Sequence, residues 1–291
     1  MNRTLILYDD EVFDNNLLDL LHKVFGPASV QHLNNYHGEI GGIDKLVLTL
    51  NAYTLSVNKE LDAFIKEYKN QFADILIAVT YIFVDGDSRN EVTEKRIALE
   101  WKELSTRFSE CNIFCDYIHY SMDNNEKMAR ELRDLKRRLM DTSNMPQELL
   151  EKEIANILKS HNTCTLCTGY GSNLRATPIE YTYYNNNLYF LSEGGEKFIN
   201  LSVSPEVAVA VYQEYEGFDK LEGVQIEGVA TMVDLFSEEY NKVIVLRGLS
   251  LEHLKSMPVR LHMVKAIPKR IEVLCSKFKK EGYLAKQEIQ K

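Results

Sequence analysis

The stretch from Asn173 to Leu201, NLRATPIEYTYYNNNLYFLSEGGEKFINL, constrains the fold of this chain more than any other segment. Its first part is strand-like, and Arg175 and Thr177 lie two positions apart, so their side chains share one face of the strand. The asparagines at 185–187 predict a hairpin turn, and residues 188–192 (LYFLS) predict the returning strand. The pattern therefore predicts antiparallel β structure in the second half of the chain.

Two glycines and a lysine follow the returning strand, at the predicted start of a helix. Gly194 and Gly195 free the backbone, and Lys197 falls in the first turn of a predicted helix that continues through Leu201. The backbone N–H groups at the start of a helix attract anions. Together with Arg175 on the preceding strand, they predict an anion site, and phosphate is the anion that this chemistry suits best.

The order of these pieces resembles the FMN-binding split β-barrel family typified by pyridoxamine 5′-phosphate oxidase. The matching pieces are Arg175-Ala-Thr-Pro178, the strand at 188–192 and the motif Gly195-Glu-Lys-Phe-Ile-Asn-Leu201. Three later segments, at 204–211, 224–230 and 264–273, resemble the strands that follow in that family. The resemblance covers residues 147–275 and implies a split β-barrel that binds FMN.

The resemblance also implies which residues contact FMN. Arg175 and Lys197 would hold the phosphate, while Ser192 and the backbone near Glu193 would add hydrogen bonds. The flavin ring would lie along residues 173–177, and Gln225 would approach it from the second subunit of a homodimer. The implied cofactor-binding residues are Asn173, Leu174, Arg175, Ala176, Thr177, Ser192, Glu193, Lys197 and Gln225.

The activity implied by the resemblance is that of an FMN-dependent oxidoreductase acting on a small molecule. In such an enzyme the cofactor supplies the chemistry, and the protein binds and orients it. The carboxylates Glu180, Glu193 and Glu227 show no pairing that indicates acid–base catalysis. No catalytic residue is therefore predicted.

The first half of the chain alternates strand-like and helix-like segments. Strands are predicted at 4–8, 29–33, 45–51, 74–83 and 112–120, and helices at 12–25, 57–72, 92–108 and 127–139. The strands are largely continuous apolar runs, which is typical of parallel strands buried on both faces. This succession of five strands and four helices predicts a doubly wound parallel sheet.

This half resembles the flavodoxin fold, in particular flavodoxin-type protoporphyrinogen oxidase, at residues 44–53 (DKLVLTLNAY) and 59–65 (KELDAFI). A flavodoxin binds the FMN phosphate with a turn rich in Ser, Thr and Gly after its first strand. The corresponding residues 8–13 here are YDDEVF, with three consecutive carboxylates that would repel phosphate. We therefore expect a degenerate phosphate loop. Tyr53 and Tyr81 could flank a pocket, but packing at the sheet is the favoured interpretation.

The segment 141–146 (DTSNMP) breaks the alternating pattern and marks a domain boundary. The predicted fold class is α/β plus β. The predicted organisation is a flavodoxin-like α/β domain at 1–141, an FMN-binding split β-barrel at 147–275 and a helical tail at 276–291.

Composition excludes several other classes of function. The formal charge is −9, and neither half of the chain has a basic surface for nucleic acid. We find no apolar run of membrane-spanning length and no signal peptide, and the odd number of cysteines, five, does not suggest a disulfide scaffold. A cytoplasmic location is therefore expected. Cys164 and Cys167 lie three apart on a predicted strand and point to opposite faces, so no metal site is predicted.

Two alternatives remain open at this point. Some split-barrel relatives bind or degrade haem, and a histidine such as His161 or His262 could then ligate the iron. Alternatively, the barrel stores or senses flavin without catalysis, while the acidic first domain docks a partner. Haem titration separates the first alternative from a flavoprotein, and reduction of the bound flavin by a donor separates the second.

Overall fold

The structure is a computed structural model that describes residues 3–9, 15–53, 59–84, 91–108, 111–120, 125–139 and 145–291. The chain divides into two compact units, residues 1–140 and 141–291.

The first unit is a parallel sheet with helices on both faces. Its strands are β1 (Thr4–Tyr8), β2 (Ala28–His32), β3 (Lys45–Asn51), β4 (Leu76–Val84) and β5 (Asn112–Tyr120). Its helices are α1 (Asn15–Phe25), α2 (Lys59–Tyr68), α3 (Glu91–Arg107) and α4 (Asn125–Leu139). The strand order is β2-β1-β3-β4-β5, which is the order of the flavodoxin-like doubly wound sheet. The predicted α/β architecture of this half is confirmed.

Alternation along the strands divides the core of this unit into two layers. Leu48 and Val79 pack with Phe64 and Leu104 of α2 and α3, whereas residues on the opposite face pack with α1 and α4. The connection between β2 and β3, residues 33–44, where no helix was predicted, contains a three-residue 3-10 helix, Leu33–Asn35. The described residues of this unit thus hold four α-helices, at the four positions where helices were predicted.

The second unit is a curled antiparallel sheet with helices at its ends. Its strands are β6 (Thr163–Tyr170), β7 (Asn173–Glu180), β8 (Thr182–Tyr184), β9 (Asn187–Ser192), β10 (Glu206–Tyr212), β11 (Glu222–Val233), β12 (His262–Cys275) and β13 (Lys286–Gln290). Its helices are α5 (Gln147–Ser160), α6 (Lys197–Val203), α7 (Glu238–Leu246), α8 (Leu251–Ser256) and α9 (Lys277–Lys280). Because the sheet curls into a half-barrel, the predicted β architecture is also confirmed.

The strand order of this sheet is β7-β6-β10-β11-β12-β9-β8, with β13 paired to β12. The pairing register shifts between Glu227 and Gly228, and such a bulge bends a strand. Interior positions such as Leu166, Phe190, Val209 and Val264 form the core.

The predicted hairpin is present, but its partner strand is the short β8. Asn185 and Asn186 have φ angles of 48° and 62°, which suit the tight turn between two antiparallel strands. Strand β7, which carries Arg175, pairs instead with β6, near the opposite end of the strand order.

The prediction of a helical tail at 276–291 is wrong for its second part. A four-residue helix, Lys277–Lys280, is followed by strand β13, which pairs antiparallel with residues 270–274 of β12. Gln287 and Ile289 alternate inward and are buried, so these residues belong to the barrel unit.

No helix in the described ranges is long and apolar enough to cross a membrane. Within those same ranges, no group of three or more His, Cys, Asp or Glu side chains is arranged to hold a metal ion.

Candidate functional site

The loop from Ser192 to Lys197 joins β9 to α6 and forms the centre of the candidate site. The Ser192 hydroxyl donates to the carbonyl of Gly194 at 2.9 Å, and the Gly194 N–H lies 3.3 Å from the same hydroxyl oxygen. Gly195 has a φ of 113°, and a Cβ there would lie 3.3 Å from Lys197 Nζ. Glycine is therefore the residue that lets the backbone turn closely around the lysine.

Lys197 is the first residue of α6, as the sequence predicted, and it is a buried cation. Only 7% of its surface is exposed, and its Nζ donates to the Gly194 carbonyl at 2.5 Å. Burial, and then the neighbouring Arg175 guanidinium, lower the pKa of the Lys197 ammonium below its ordinary value. Among the ion pairs of the described residues, none includes this lysine.

Arg175 lies opposite Thr168 in the pairing of β7 with β6. Its guanidinium donates from Nη1 to the Glu196 carboxylate, in the loop that precedes α6. This contact joins β7 to the β9–α6 loop even though the two strands are far apart in the sheet order. The curl of the sheet brings the two predicted cations into one place.

Thr177 contributes a hydroxyl on the same face of β7 as Arg175. Its Oγ1 is buried, and no hydrogen-bond partner for it is found in the described part of the chain. Buried hydroxyl groups are usually paired, because leaving one unpaired costs about 1–3 kcal/mol. This hydroxyl is therefore available to a ligand that reaches β7 from the interior face.

Helix α6 is held over the sheet by a polar contact that the site prediction missed. Asn200 is buried, and its Nδ2 donates to Thr168 Oγ1 at 3.0 Å. Asn200 lies three residues after Lys197, so both side chains fall on one side of the helix. That spacing is the sequence signal that could have identified Asn200 as a positioning residue.

The alternation of β7 separates the remaining predicted residues. Asn173, Arg175 and Thr177 share the face of Thr168, whereas Leu174 and Ala176 lie on the outer face. Leu174 is 84% exposed. Glu193 is exposed in the loop, and Gln225 lies on the outer face of β11.

The outer face around Gln225 forms a groove of about 350 Å³. Ala208, Ala210 and Gly223 form part of its lining, and larger side chains, including Tyr212, Arg270 and Leu274, form the rest. Within one chain, Gln225 does not meet Arg175 or Lys197, because they lie on opposite faces of the sheet.

The histidines of this unit differ in their surroundings. His262 is half-buried, lies opposite Ser192 in the pairing of β12 with β9, and packs its ring against Phe198 at 5.7 Å between centroids. His161 ends α5, and its Nδ1 lies 3.0 Å from both the Ile157 carbonyl and the Ser160 hydroxyl. Of the two, His262 borders the candidate site.

The aromatic residues singled out in the first unit pack within its core. Tyr81 is fully buried, and the Tyr53 ring packs edge-on against Phe83 at 5.9 Å. Asp9 accepts a hydrogen bond from the Asn51 N–H at 3.1 Å. The predicted carboxylate loop continues at residues 10–13, which lie outside the described residues, so the degenerate phosphate loop stays a prediction.

Comparisons with known proteins give matches among solved structures. A heme storage protein from Vibrio cholerae is 20% identical, with 41% of this chain and 89% of that chain covered and a TM-score of 0.35. A FAD-binding protein from Mesorhizobium loti is 15% identical, with 42% and 89% covered and a TM-score of 0.35. A Listeria innocua protein designated a pyridoxamine 5′-phosphate oxidase is 20% identical, with 43% and 98% covered and a TM-score of 0.36.

No protein-family model matches the sequence, and a search of curated proteins gives no match.

Proposed function

We propose that the second unit binds FMN and that the protein is an FMN-dependent oxidoreductase acting on a small molecule. The observation that carries the proposal is the buried ammonium of Lys197. It contacts the Gly194 carbonyl and the face of the Phe198 ring, and its charged neighbour is the Arg175 guanidinium rather than a carboxylate. A buried charge is costly unless it is paired. An anionic ligand would supply the missing charge.

The residues around Lys197 fit a phosphate group. Arg175 provides a second cation, and charge-assisted hydrogen bonds from an arginine to phosphate are among the strongest in proteins. Gly194 and Gly195 leave the loop backbone exposed, so that a ligand can approach it closely. Inorganic phosphate would satisfy this part of the site as well as FMN would.

The choice of FMN rests on the strand beside the cations and on the sequence resemblance. Thr177 offers an unpaired buried hydroxyl two residues from Arg175, in the position that the resemblance assigns to the flavin ring. Bound FMN would supply the electron or hydride transfer. The contribution of this chain would be to hold the phosphate at Arg175 and Lys197, to orient the ring along β7 and to limit its contact with water.

A homodimer is part of the proposal, because Gln225 reaches an FMN only if it belongs to a second subunit. Part of its groove is lined by Ala208, Ala210 and Gly223, whose small size allows another chain to approach the sheet closely at that point. A cofactor held between two such subunits would touch β7 of one and Gln225 of the other.

The direct test is the visible absorption spectrum of the purified protein, followed by the mass of any released chromophore. The proposal predicts a flavin spectrum, or its appearance after incubation with FMN, with one FMN for each chain. A colourless protein that takes up no added FMN contradicts it. Reduction of the bound flavin by a nicotinamide donor or a reductase would support catalysis over flavin storage.

A haem-binding barrel is the second candidate, and the position of His262 favours it. This ring lies beside α6 at the edge of the candidate site, whereas His161 already contacts two oxygen atoms at its Nδ1. Haem titration should then give a Soret band that is lost in a His262→Ala variant and kept in a His161→Ala variant. Absence of a Soret band in the wild-type protein would remove this candidate.

A further inference from the structure

The two cations of the candidate site are engaged differently. Lys197 donates to a main-chain carbonyl, but Arg175 donates to the carboxylate of Glu196, the residue immediately before Lys197. The side chains of Arg175 and Glu196 are 46% and 69% exposed. The carboxylate of Glu196 therefore accepts a hydrogen bond from the guanidinium that would otherwise be donated to a ligand phosphate.

We infer that Glu196 is a displaceable latch, which competes with the phosphate of the ligand for Arg175. This inference rests on the proposed function. When FMN binds, the Glu196 side chain must leave the guanidinium, and its charge then lies close to the incoming dianion. Glu196 thus weakens the binding of phosphorylated ligands and closes the site when none is present.

The backbone around Glu196 allows this exchange without disturbing the helix. The Glu196 carbonyl accepts hydrogen bonds from the N–H groups of Ile199 at 2.9 Å and Asn200 at 3.2 Å, so the main chain is fixed at the start of α6. The carboxylate itself is largely exposed and can rotate into solvent. Displacement therefore requires a change of side-chain rotamer alone.

The energies also favour a displaceable contact. An exposed ion pair contributes only about 0–1 kcal/mol, because solvent screens it and both side chains lose rotamer freedom. A phosphate that bridges Arg175 and Lys197 makes charge-assisted bonds to two cations and displaces the single carboxylate. The cost of displacement remains as a lower affinity, of about twofold to fivefold.

The test is an equilibrium titration of the full-length protein with FMN and with riboflavin, which lacks the phosphate. In the Glu196→Gln variant, FMN should bind about twofold to fivefold more tightly, while the affinity for riboflavin should not change. Glu252→Gln is the matched control, because it removes the same charge at an exposed residue of α8 that is not part of the proposed FMN site. In an Arg175→Ala background, Glu196→Gln should give no gain.

Each other outcome overturns the latch. Equal tightening in Glu252→Gln would mean that net charge alone is responsible, and a gain that persists without Arg175 would mean that the contact is irrelevant. FMN binding that Glu196→Gln leaves unchanged overturns the latch but keeps the proposed function. Failure of both the wild-type protein and Glu196→Gln to bind FMN overturns the two together.

Discussion

At the residue scale, Lys197 is the most informative side chain, because its ammonium group is buried without a carboxylate beside it. The sequence predicted this lysine and Arg175 from strand alternation and from the start of a helix. It did not predict Glu196 or Asn200 as parts of the site. Their roles depend on the curl of the sheet, which brings β7 to the start of α6, and no local pattern encodes that approach.

The first prediction concerns pH. Burial and the nearby Arg175 lower the pKa of the ligand-free Lys197, so it loses its proton at a lower pH than an ordinary lysine does. Because the charged form binds the phosphate, FMN affinity should fall as the pH rises from about 8 to about 10. The phosphate is already a dianion in that range, since its second pKa is about 6.

The matched variant for this prediction is Lys197→Arg, which keeps its charge throughout the range. Its dissociation constant for FMN should change less between about pH 8 and about pH 10 than that of the wild-type protein. Fluorescence titration at each pH measures both. Parallel curves for the two proteins would contradict the assignment of the pH dependence to Lys197.

The second prediction concerns Thr177, whose buried hydroxyl lacks a partner among the described residues. Thr177→Val should leave the melting temperature unchanged or raise it, because an unpaired polar group is removed. FMN affinity should fall by about 0.5–1.5 kcal/mol, the contribution of one hydrogen bond. Thr163→Val, at an exposed position of β6, is the control; an equal effect of the two variants on FMN binding would argue against a role for Thr177.

At the element scale, the strands of the first sheet followed from apolar runs. The strands near 204–211, 224–230 and 264–273 were expected from the resemblance, and the last strand was not predicted. Residues 286–290 (KQEIQ) offer too few alternating positions to identify a strand after the lysine-rich segment of α9. Pairing with β12 determines this strand, together with the ion pairs of Arg270 on β12 with Glu288 on β13. These are contacts between distant segments, which a local pattern does not contain.

The third prediction tests strand β13. Ile289 is buried in the core of the second unit, so Ile289→Ala should lower the free energy of unfolding by about 2–4 kcal/mol. The exposed neighbour Gln290 provides the control, because Gln290→Ala should change it by less than about 0.5 kcal/mol. Chemical denaturation of each variant measures the difference. Similar values for both would mean that this segment does not pack as a core strand.

At the scale of the whole molecule, two patterns of hydrophobicity predicted two units. Continuous apolar strands separated by helical segments predicted the parallel sheet. Short strands separated by turns predicted the antiparallel sheet. Neither pattern predicts the 3-10 helix at Leu33–Asn35, because three residues are too few to show a helical repeat of apolar positions. All residues of the proposed FMN site lie in the second unit.

The fourth prediction follows from that location. A fragment of residues 141–291 should fold and bind FMN with an affinity within about threefold of that of the full chain, because the unit has its own core. A fragment of residues 1–140 should not bind FMN. Titration of the two separately purified fragments with FMN tests this prediction. FMN binding by the fragment of residues 1–140 would contradict the degenerate phosphate loop.

The central claim is that Arg175 and Lys197 together hold the phosphate of FMN, and comparison of FMN dissociation constants tests it most directly. Arg175→Ala and Lys197→Ala should each weaken binding by about 1–3 kcal/mol relative to the wild-type protein. Lys242→Ala, which removes a lysine on helix α7, should leave the affinity unchanged. Unchanged FMN affinity in both site variants would contradict the account.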